Sequence, residues 1–448
     1  MTNQIHNYSR IGTLFCATFT LLLTACASST VENPASTKLF SIAVIPDTQN
    51  YADYSHQKSE GFAIDAGDLF LEQMQFIADN AVTNGGDIAF VASVGDVWQH
   101  QSKTMDDAHA ARGFKPRTDL PAGFNDYLGP KEATLSFELP KAREAYQLIS
   151  DAGLPFGVAP GNHDYDAMWS VAGYKPDYSS MSEAERGFVQ AIGTLHVGGL
   201  DNFRSVFGAD TAFFDEKPWY VASYKGGTSS AQLFNAGDYQ FLHIALEMQP
   251  GDDVIAWVET VIEKYKGRPT IISTHDYLNT QGERVANPLV DLAAADPEGN
   301  NGPQQMWEKL FSQHEQIFLV LCGHQHGQNY RVDSNKFGQA VHQVLADYQD
   351  RGQVGIDAGQ PLDPMMRRPV GIGDGWFRLM QFDLNSETPH IVVKTYSSHY
   401  KKYSAQEENY ATWYRGHEQP AMSDEEFYQA DDFRIELPDF HSRFSTNN

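Results

Sequence analysis

Side chains that can ligate a metal recur where short apolar runs end. Asp47 and Gln49 follow residues 40–45 in Pro46-Asp47-Thr48-Gln49, and Gly95-Asp96 follows residues 88–94. Gly161-Asn162-His163-Asp164 comes after residues 156–158, Thr274-His275-Asp276 after 270–273, and Gly323-His324-Gln325-His326 after 317–321. Carboxylates and imidazoles together suit Zn, Fe or Mn. Two ions about 3.5–4 Å apart need a bridging carboxylate and can clamp the attacking and leaving oxygens of a phosphoryl transfer. Asp96 is the natural bridge, and Asn162 offers a neutral amide oxygen. His324 and His326, two residues apart on a segment read as extended, are expected to project the same way. The glycines let the chain turn sharply, so that the next side chain points back toward a common crevice.

The elements that must position these residues follow from hydrophobic spacing. The apolar runs read as buried strands. Residues 68–84, 141–150, 252–264 and 304–313 carry helical periodicity between them. Strand–helix alternation predicts an α/β core, and in open α/β sheets sites form outside the carboxyl ends of strands. Residues 101–140 and 165–235 break the rhythm and read as insertions around the pocket. Residues 340–347, 376–384 and 391–396 alternate like antiparallel strands and suit a second sheet. Residues 401–448 read as a polar, acidic C-terminal extension.

The 448-residue chain has 32 Lys and Arg against 58 Asp and Glu, a net charge of −26. That charge excludes nucleic-acid binding through a basic surface, because it repels phosphate backbones. It does not exclude an enzyme that meets phosphate through bound cations. With 41% hydrophobic and 12% aromatic residues the chain can bury a large core, which excludes disorder over most of its length.

Residues 1–26 read as an export signal: Arg10, an apolar stretch over 11–24 too short to span a bilayer, and Leu23-Thr24-Ala25-Cys26. Small residues before a cysteine resemble a bacterial lipobox, which implies lipidation of Cys26. Residues 27–38 then form a tether to a domain at 39–400. This predicts an exported, lipid-anchored protein of the outer membrane, cell surface or periplasm, touching the membrane through Cys26, with no protein partner. Ala27 after the cysteine fits outer-membrane sorting in a Gram-negative host. Of the three cysteines, Cys16 leaves with the signal and Cys322 stands alone in an apolar strand, so there is no disulfide framework.

The motif series resembles the calcineurin-like metallophosphoesterases, whose pattern is Asp-x-His, Gly-Asp-x-x-Asp, Gly-Asn-His-Asp/Glu, His, Gly-His-x-His. It covers residues 40–400 in order. The resemblance implies a four-layer α/β/β/α sandwich with two central sheets. It implies one metal held by Asp47, Gln49, Asp96 and His326, and a second held by Asp96, Asn162, His275 and His324. The ions would be Mn, Zn or Fe, and a hydroxide shared between them would attack a phosphate mono- or diester. His163 would protonate the leaving oxygen. Gln49 stands at a family histidine, and Gln99 where the family often has an Asp that orients the catalytic histidine, so Asp164 is the candidate for that task. The same two departures leave open a non-catalytic surface lipoprotein that keeps the fold for binding. His56, His100, His109, His196, His243 and His314 match no motif and read as structural.

Overall fold

The computed structural model describes residues 39–117, 129–170, 195–296, 299–364 and 366–446, with 182, 183, 186, 187 and 193. The expected signal, lipobox and tether at 1–38 lie outside them. Strand β1 (Leu39–Ile45) shows how its sequence builds layers. Ile42 and Val44 face one side and Ala43 and Ile45 the other, and all four are at most 2% exposed. A strand buried on both faces is the signature of a sheet covered on both sides.

The first sheet has β1 paired in parallel with β2 (Ile88–Ser93), which is parallel to β3 (Phe156–Val158). On the other side of β1, antiparallel β13 (Trp376–Asp383) is followed by β14 (His390–Ser397), which carries β15 (Lys402–Tyr403) and β16 (Phe433–Glu436). The second sheet runs in the order β11 (Gly327–Ser334), β12 (Ala340–Asp347), β10 (Ile317–Gly323), β9 (Thr270–Asp276), β8 (Tyr239–Ala245), β7 (Ser229–Ala236), β6 (Tyr220–Tyr224). Its centre, β12-β10-β9-β8, is parallel. A separate ribbon pairs β4 (Ala167–Ser170) with β5 (Leu195–Gly198).

The cores fix the layering. Phe40, Ile42, Val44 and Phe90 of the first sheet share one cluster with Phe234, Phe241, Ile271, Leu319 and Val344 of the second, so the sheets lie face to face. Phe90 stacks on Phe234 with ring centroids 4.4 Å apart. Ala43, Ile45 and Val91 turn outward onto Phe70, Met74 and Ile77 of helix α1 (Ala66–Asp79) and Tyr146 and Ile149 of helix α2 (Leu139–Asp151). Ile244, Ile272 and Val320 turn onto Val254, Val258 and Ile262 of helix α3 (Asp252–Lys264) and onto Met306 and Trp307. The result is the expected four-layer α/β/β/α arrangement. Among the described residues no helix is long and apolar enough to cross a membrane.

Two expectations change. Strands β13 and β14 were assigned to a second sheet, but they extend the first, because β1 leaves an edge that β13 caps over six residue pairs. Residues 220–224 and 229–235, expected within the second insertion, belong to strands β6 and β7 of the second sheet, and β7 pairs along its length with β8. The acidic C-terminal extension packs onto the fold: β16 pairs with β14, and Tyr410, Tyr414 and Phe427 are buried around Trp376. Its Asp424-Glu425-Glu426 run is exposed.

Candidate metal centre

Three parallel strands of each sheet deliver polar residues from their carboxyl ends to one crevice: Asp47 after β1, Asp96 after β2, Asn162 after β3, His275 within β9, His324 after β10 and Asp347 at the end of β12. All are at most 8% exposed. Two of them adopt left-handed backbone, Asp96 with φ 51° and His324 with φ 70°. That region is uncommon for residues other than glycine, although Asp and His tolerate it better than most. Close approach explains two of the motif glycines. A Cβ on Gly323 would lie 2.1 Å from Asp47 Oδ1, and one on Gly161 would lie 2.2 Å from Asp96 Oδ1.

His275 is the hub. Its Nε2 lies 3.2 Å from Asp96 Oδ2, 3.0 Å from Asn162 Oδ1, 3.1 Å from His324 Nδ1 and 3.9 Å from Asp47 Oδ2. Its Nδ1 lies 2.9 Å from the Val94 carbonyl. An Nδ1–H donated there leaves the Nε2 lone pair facing the cluster, which is the arrangement that ligating histidines use. Asp96, His275 and His324 offer ligand atoms that all lie within 4.8 Å of one another. Several atoms here are buried without a hydrogen-bond partner: Asp47 Oδ1, Gln49 Oε1, His324 Nε2 and Asp347 Oδ2. All four are metal-competent, so the residues present fit a cation.

Gln49 is fully buried. Its Nε2 donates to Asp96 Oδ2 at 3.3 Å and also to Gln349 Oε1. Gln349 Nε2 in turn contacts His326 Nε2 at 2.7 Å, and Asp350 Oδ2 takes His326 Nδ1 at 2.7 Å. A chain of side chains thus links Asp96 to His326 through two carboxamides. The expectation that His324 and His326 project alike fails because the backbone at His324 is left-handed rather than extended. His324 meets His275, whereas His326, its side chain 41% exposed, turns to Gln349 and Asp350.

His163 lies beside this cluster. Its backbone N–H donates to Asp96 Oδ1 at 2.8 Å, its Nε2 is 3.9 Å from Asp96 Oδ2, and its Nδ1 is 2.5 Å from the Gln99 carbonyl. The main-chain carbonyl of Gln99 therefore holds the ring, a task expected of Asp164. The two Asp164 oxygens instead accept the backbone N–H groups of Val97 and Gly161, each at 2.8 Å. Asp164 fastens the loops after β2 and β3 together. Asp276 is likewise engaged, by Gln325 Nε2 at 2.7 Å and the Asn287 N–H at 2.8 Å.

Charges in the crevice are strongly coupled. Burial raises the Asp47 carboxyl well above the usual range, and the neighbouring Asp347 carboxylate adds to it. Burial opposes charge on His275, but Asp96 and Asp47 outweigh it and hold the imidazole up at about 10. Asp96 is held low against its own burial, chiefly by His275. Burial pushes His324 down, and the charge on His275 pushes it further. Partial desolvation of His326 is outweighed by Asp350, which holds the ring at about 10. Burial lifts Asp164 to about 8, with Asp96 adding to the rise.

Sequence reasoning missed Asp347, Gln349 and Asp350. A signal existed for Asp347, which ends an apolar strand as the motif residues do. Gln349 and Asp350 carry no pattern of their own.

No protein-family model matches the chain. It is 24% identical over 377 residues to the uncharacterized protein YvnB of Bacillus subtilis (strain 168), an alignment that covers 83% of this chain and 21% of that protein. The chain thus spans about one fifth of the length of this relative. Among solved structures, a dimetal phosphatase from Danio rerio is similar at 12% identity and a TM-score of 0.37, over 80% of this chain and 96% of that one.

Proposed function

We propose that the protein is a metal-dependent phosphoesterase. The observation that supports this reading best is the set of buried, partnerless, metal-competent atoms where three parallel strands of each sheet end. Asp47, Gln49, Asp96 and His326, joined by Asp347 and Gln349, would hold one ion, and Asp96, Asn162, His275 and His324 a second. Bound there, divalent cations supply charge neutralisation of phosphate oxygens and a nucleophile at neutral pH. The chain's own residues do the rest. Asn162 brings an uncharged amide to the phosphate side. His163, its Nδ1–H pinned on the Gln99 carbonyl, turns Nε2 toward the Asp96 side of the crevice, from which it can give a proton to a leaving alcohol. Asp164 and Asp276 keep the loops rigid.

Purified protein supplied with Mn or Zn is expected to hydrolyse an aryl phosphate or a bis-aryl phosphate. Two bound metals with turnover of neither substrate would instead favour a binding protein that keeps the fold. The reading includes export and anchoring through a lipidated Cys26, supported by the apolar stretch at 11–24 and the small residues before the cysteine. Cys26→Ser should release a soluble or unprocessed form, and unchanged membrane fractionation would refute the anchor.

A further inference from the structure

Two histidines that match no motif meet away from the crevice. Asp106 caps the short helix Asp107–Ala111, accepting the backbone N–H groups of Ala108 and His109 at 3.1 Å each on Oδ1. Its Oδ2 lies 2.8 Å from His109 Nδ1. The imidazole is thereby fixed with Nε2 turned to Asp296 Oδ2, 4.0 Å away. His196, on β5, brings its own Nε2 to 3.6 Å from the same oxygen. His196 is 1% exposed, and both of its ring nitrogens are buried without a hydrogen-bond partner. The His109 and His196 rings lie 4.6 Å apart at their centroids, walled by Trp169 and Phe114. The three ligand atoms lie within 4.8 Å of one another.

We propose that His109, His196 and Asp296 form a further divalent-cation site, of zinc type, independent of the motif residues. Chemistry and distance both favour it. A carboxylate holding the far nitrogen of an imidazole is the outer-shell partner that ligating histidines use, and Asp106 plays that part. Two donors on one tetrahedral zinc sit about 3.3 Å apart, given bond lengths near 2.0–2.1 Å. The observed 3.6 and 4.0 Å therefore close to that spacing with shifts of about 0.3 and 0.7 Å. Burial pushes the pKa of His196 down, which keeps it neutral and able to donate a lone pair. Arg112 already pairs with both oxygens of Asp296, at 2.6 and 2.8 Å. A carboxylate has about four acceptor positions, so Asp296 can keep Arg112 and still ligate. Asp106 and Asp296 against Arg112 leave one net negative charge around two imidazoles, a field that suits a cation. The site draws on His109 and His196 from the two insertions and on Asp296 at the end of helix Leu292–Ala295, so its ion would staple together three segments far apart in sequence.

The test uses the full chain carrying Asp96→Asn and His275→Gln, which disable the motif cluster. After zinc loading and exhaustive dialysis, this protein is expected to retain one equivalent of zinc. Its X-ray absorption spectrum should show imidazole nitrogen and oxygen ligands. Adding His196→Gln or His109→Gln should remove that zinc, while Arg112→Gln, which frees Asp296, should bind it at least as tightly. Where a histidine variant does not fold, the spectrum of the parent and a zinc-dependent rise in melting temperature of the Arg112→Gln protein carry the test. No retained zinc in the parent, zinc retained unchanged after His196→Gln, or a spectrum without imidazole would overturn the proposal. None of these outcomes bears on phosphoesterase activity, which is read from the unsubstituted protein.

Discussion

The molecule buries two dense clusters of charge and treats them in opposite ways. At the C-terminal side, Arg351, Arg378, Glu418 and Asp431 are all fully buried. Asp431 Oδ1 accepts from Tyr348, Thr395 and Arg378 at 2.7–2.9 Å, and its Oδ2 from Tyr410 and Arg351. Glu418 takes Arg351 on both oxygens, at 2.9 and 3.1 Å. Every carboxylate oxygen there has a donor from the chain. In the crevice, equally buried carboxylate, amide and imidazole atoms have none. A buried polar group without a partner costs about 1–3 kcal/mol. A fold that satisfies one cluster so thoroughly has the means to satisfy the other. The difference teaches that the C-terminal cluster satisfies its carboxylates from within the chain, leaving only Arg378 Nε without a partner among its charged atoms, whereas the crevice leaves its metal-competent atoms for a partner the chain does not supply.

The largest effect should come from removing the carboxylate common to both halves of the crevice. Asp96→Asn is expected to abolish turnover and to lower bound metal, measured as metal content beside rate. Full activity with full metal would break the comparison, since the crevice would then need no shared anionic ligand.

His163→Ala comes next. It removes a proton donor, not a ligand, so metal content should stay while the rate falls about 10²–10⁴-fold. The loss should shrink for nitrophenyl esters, whose leaving groups barely need protonation. Loss of metal, or an equal penalty for good and poor leaving groups, would show that His163 works differently.

The C-terminal cluster makes the converse prediction. Asp431→Asn leaves buried Arg378 without its carboxylate, while Arg351 keeps Glu418, and breaking such a pair typically costs about 3–5 kcal/mol. The melting temperature should drop accordingly. The protein that remains folded should keep its metal, because the crevice does not depend on that charge. A stability loss below about 1 kcal/mol would show the cluster to be far wetter than its burial suggests.

These regions differ also in how legible they are. The crevice could be read from sequence because parallel strands write themselves as short apolar runs, and Asp47, Asp96, Asn162, His275 and His324 stand immediately after them. Asp347 ends an apolar strand as the motif residues do, but only the pairing of β12 beside β10, which joins Leu319 to His342, brings it to the crevice. The Gln99 carbonyl that holds His163 is a main-chain atom, invisible in any motif. Arg351 and Asp431 are far apart in sequence and carry residue types usually found at the surface, so nothing in the sequence joins the acidic C-terminal extension to Arg351. His109 and His196 lie on separate insertions, and only the fold brings them together.

His243 provides an intermediate case, buried between the sheets with Gln232 Oε1 and Ser273 Oγ each 2.8 Å from its ring nitrogens. Burial lowers its pKa to about 3 from an ordinary 6.5. The folded state thus resists a proton that the unfolded state accepts. Its contribution is present above pH ~6.5 and is lost as pH falls toward ~3, with a slope of up to about 1.4 kcal/mol per pH unit. His243→Gln should flatten that part of the stability curve, read from denaturant melts across the range. An unchanged slope would assign the acid sensitivity to the carboxylates instead.

The smallest expected effect is a gain, and it sharpens the comparison most closely. Gln49 touches Asp96 and Gln349 while its own Oε1 has no partner. An amide oxygen is a weaker ligand than imidazole for Zn or Fe and suits harder ions such as Mn. Gln49→His should therefore tighten zinc at the position shared with Asp47 and His326, by about tenfold, or ~1.4 kcal/mol. Gln349→Leu should instead weaken it modestly, because it removes the carboxamide that links Gln49 to His326. Zinc and manganese titrations of the three proteins decide the matter. A shift toward zinc in Gln49→His, with the other metal position unchanged, would mean that Gln49 faces the ion and that its amide sets the metal preference. An unchanged titration would mean that the Gln49–Gln349 pair closes that half of the crevice by itself, leaving His275 and His324 as the half that waits for a cation.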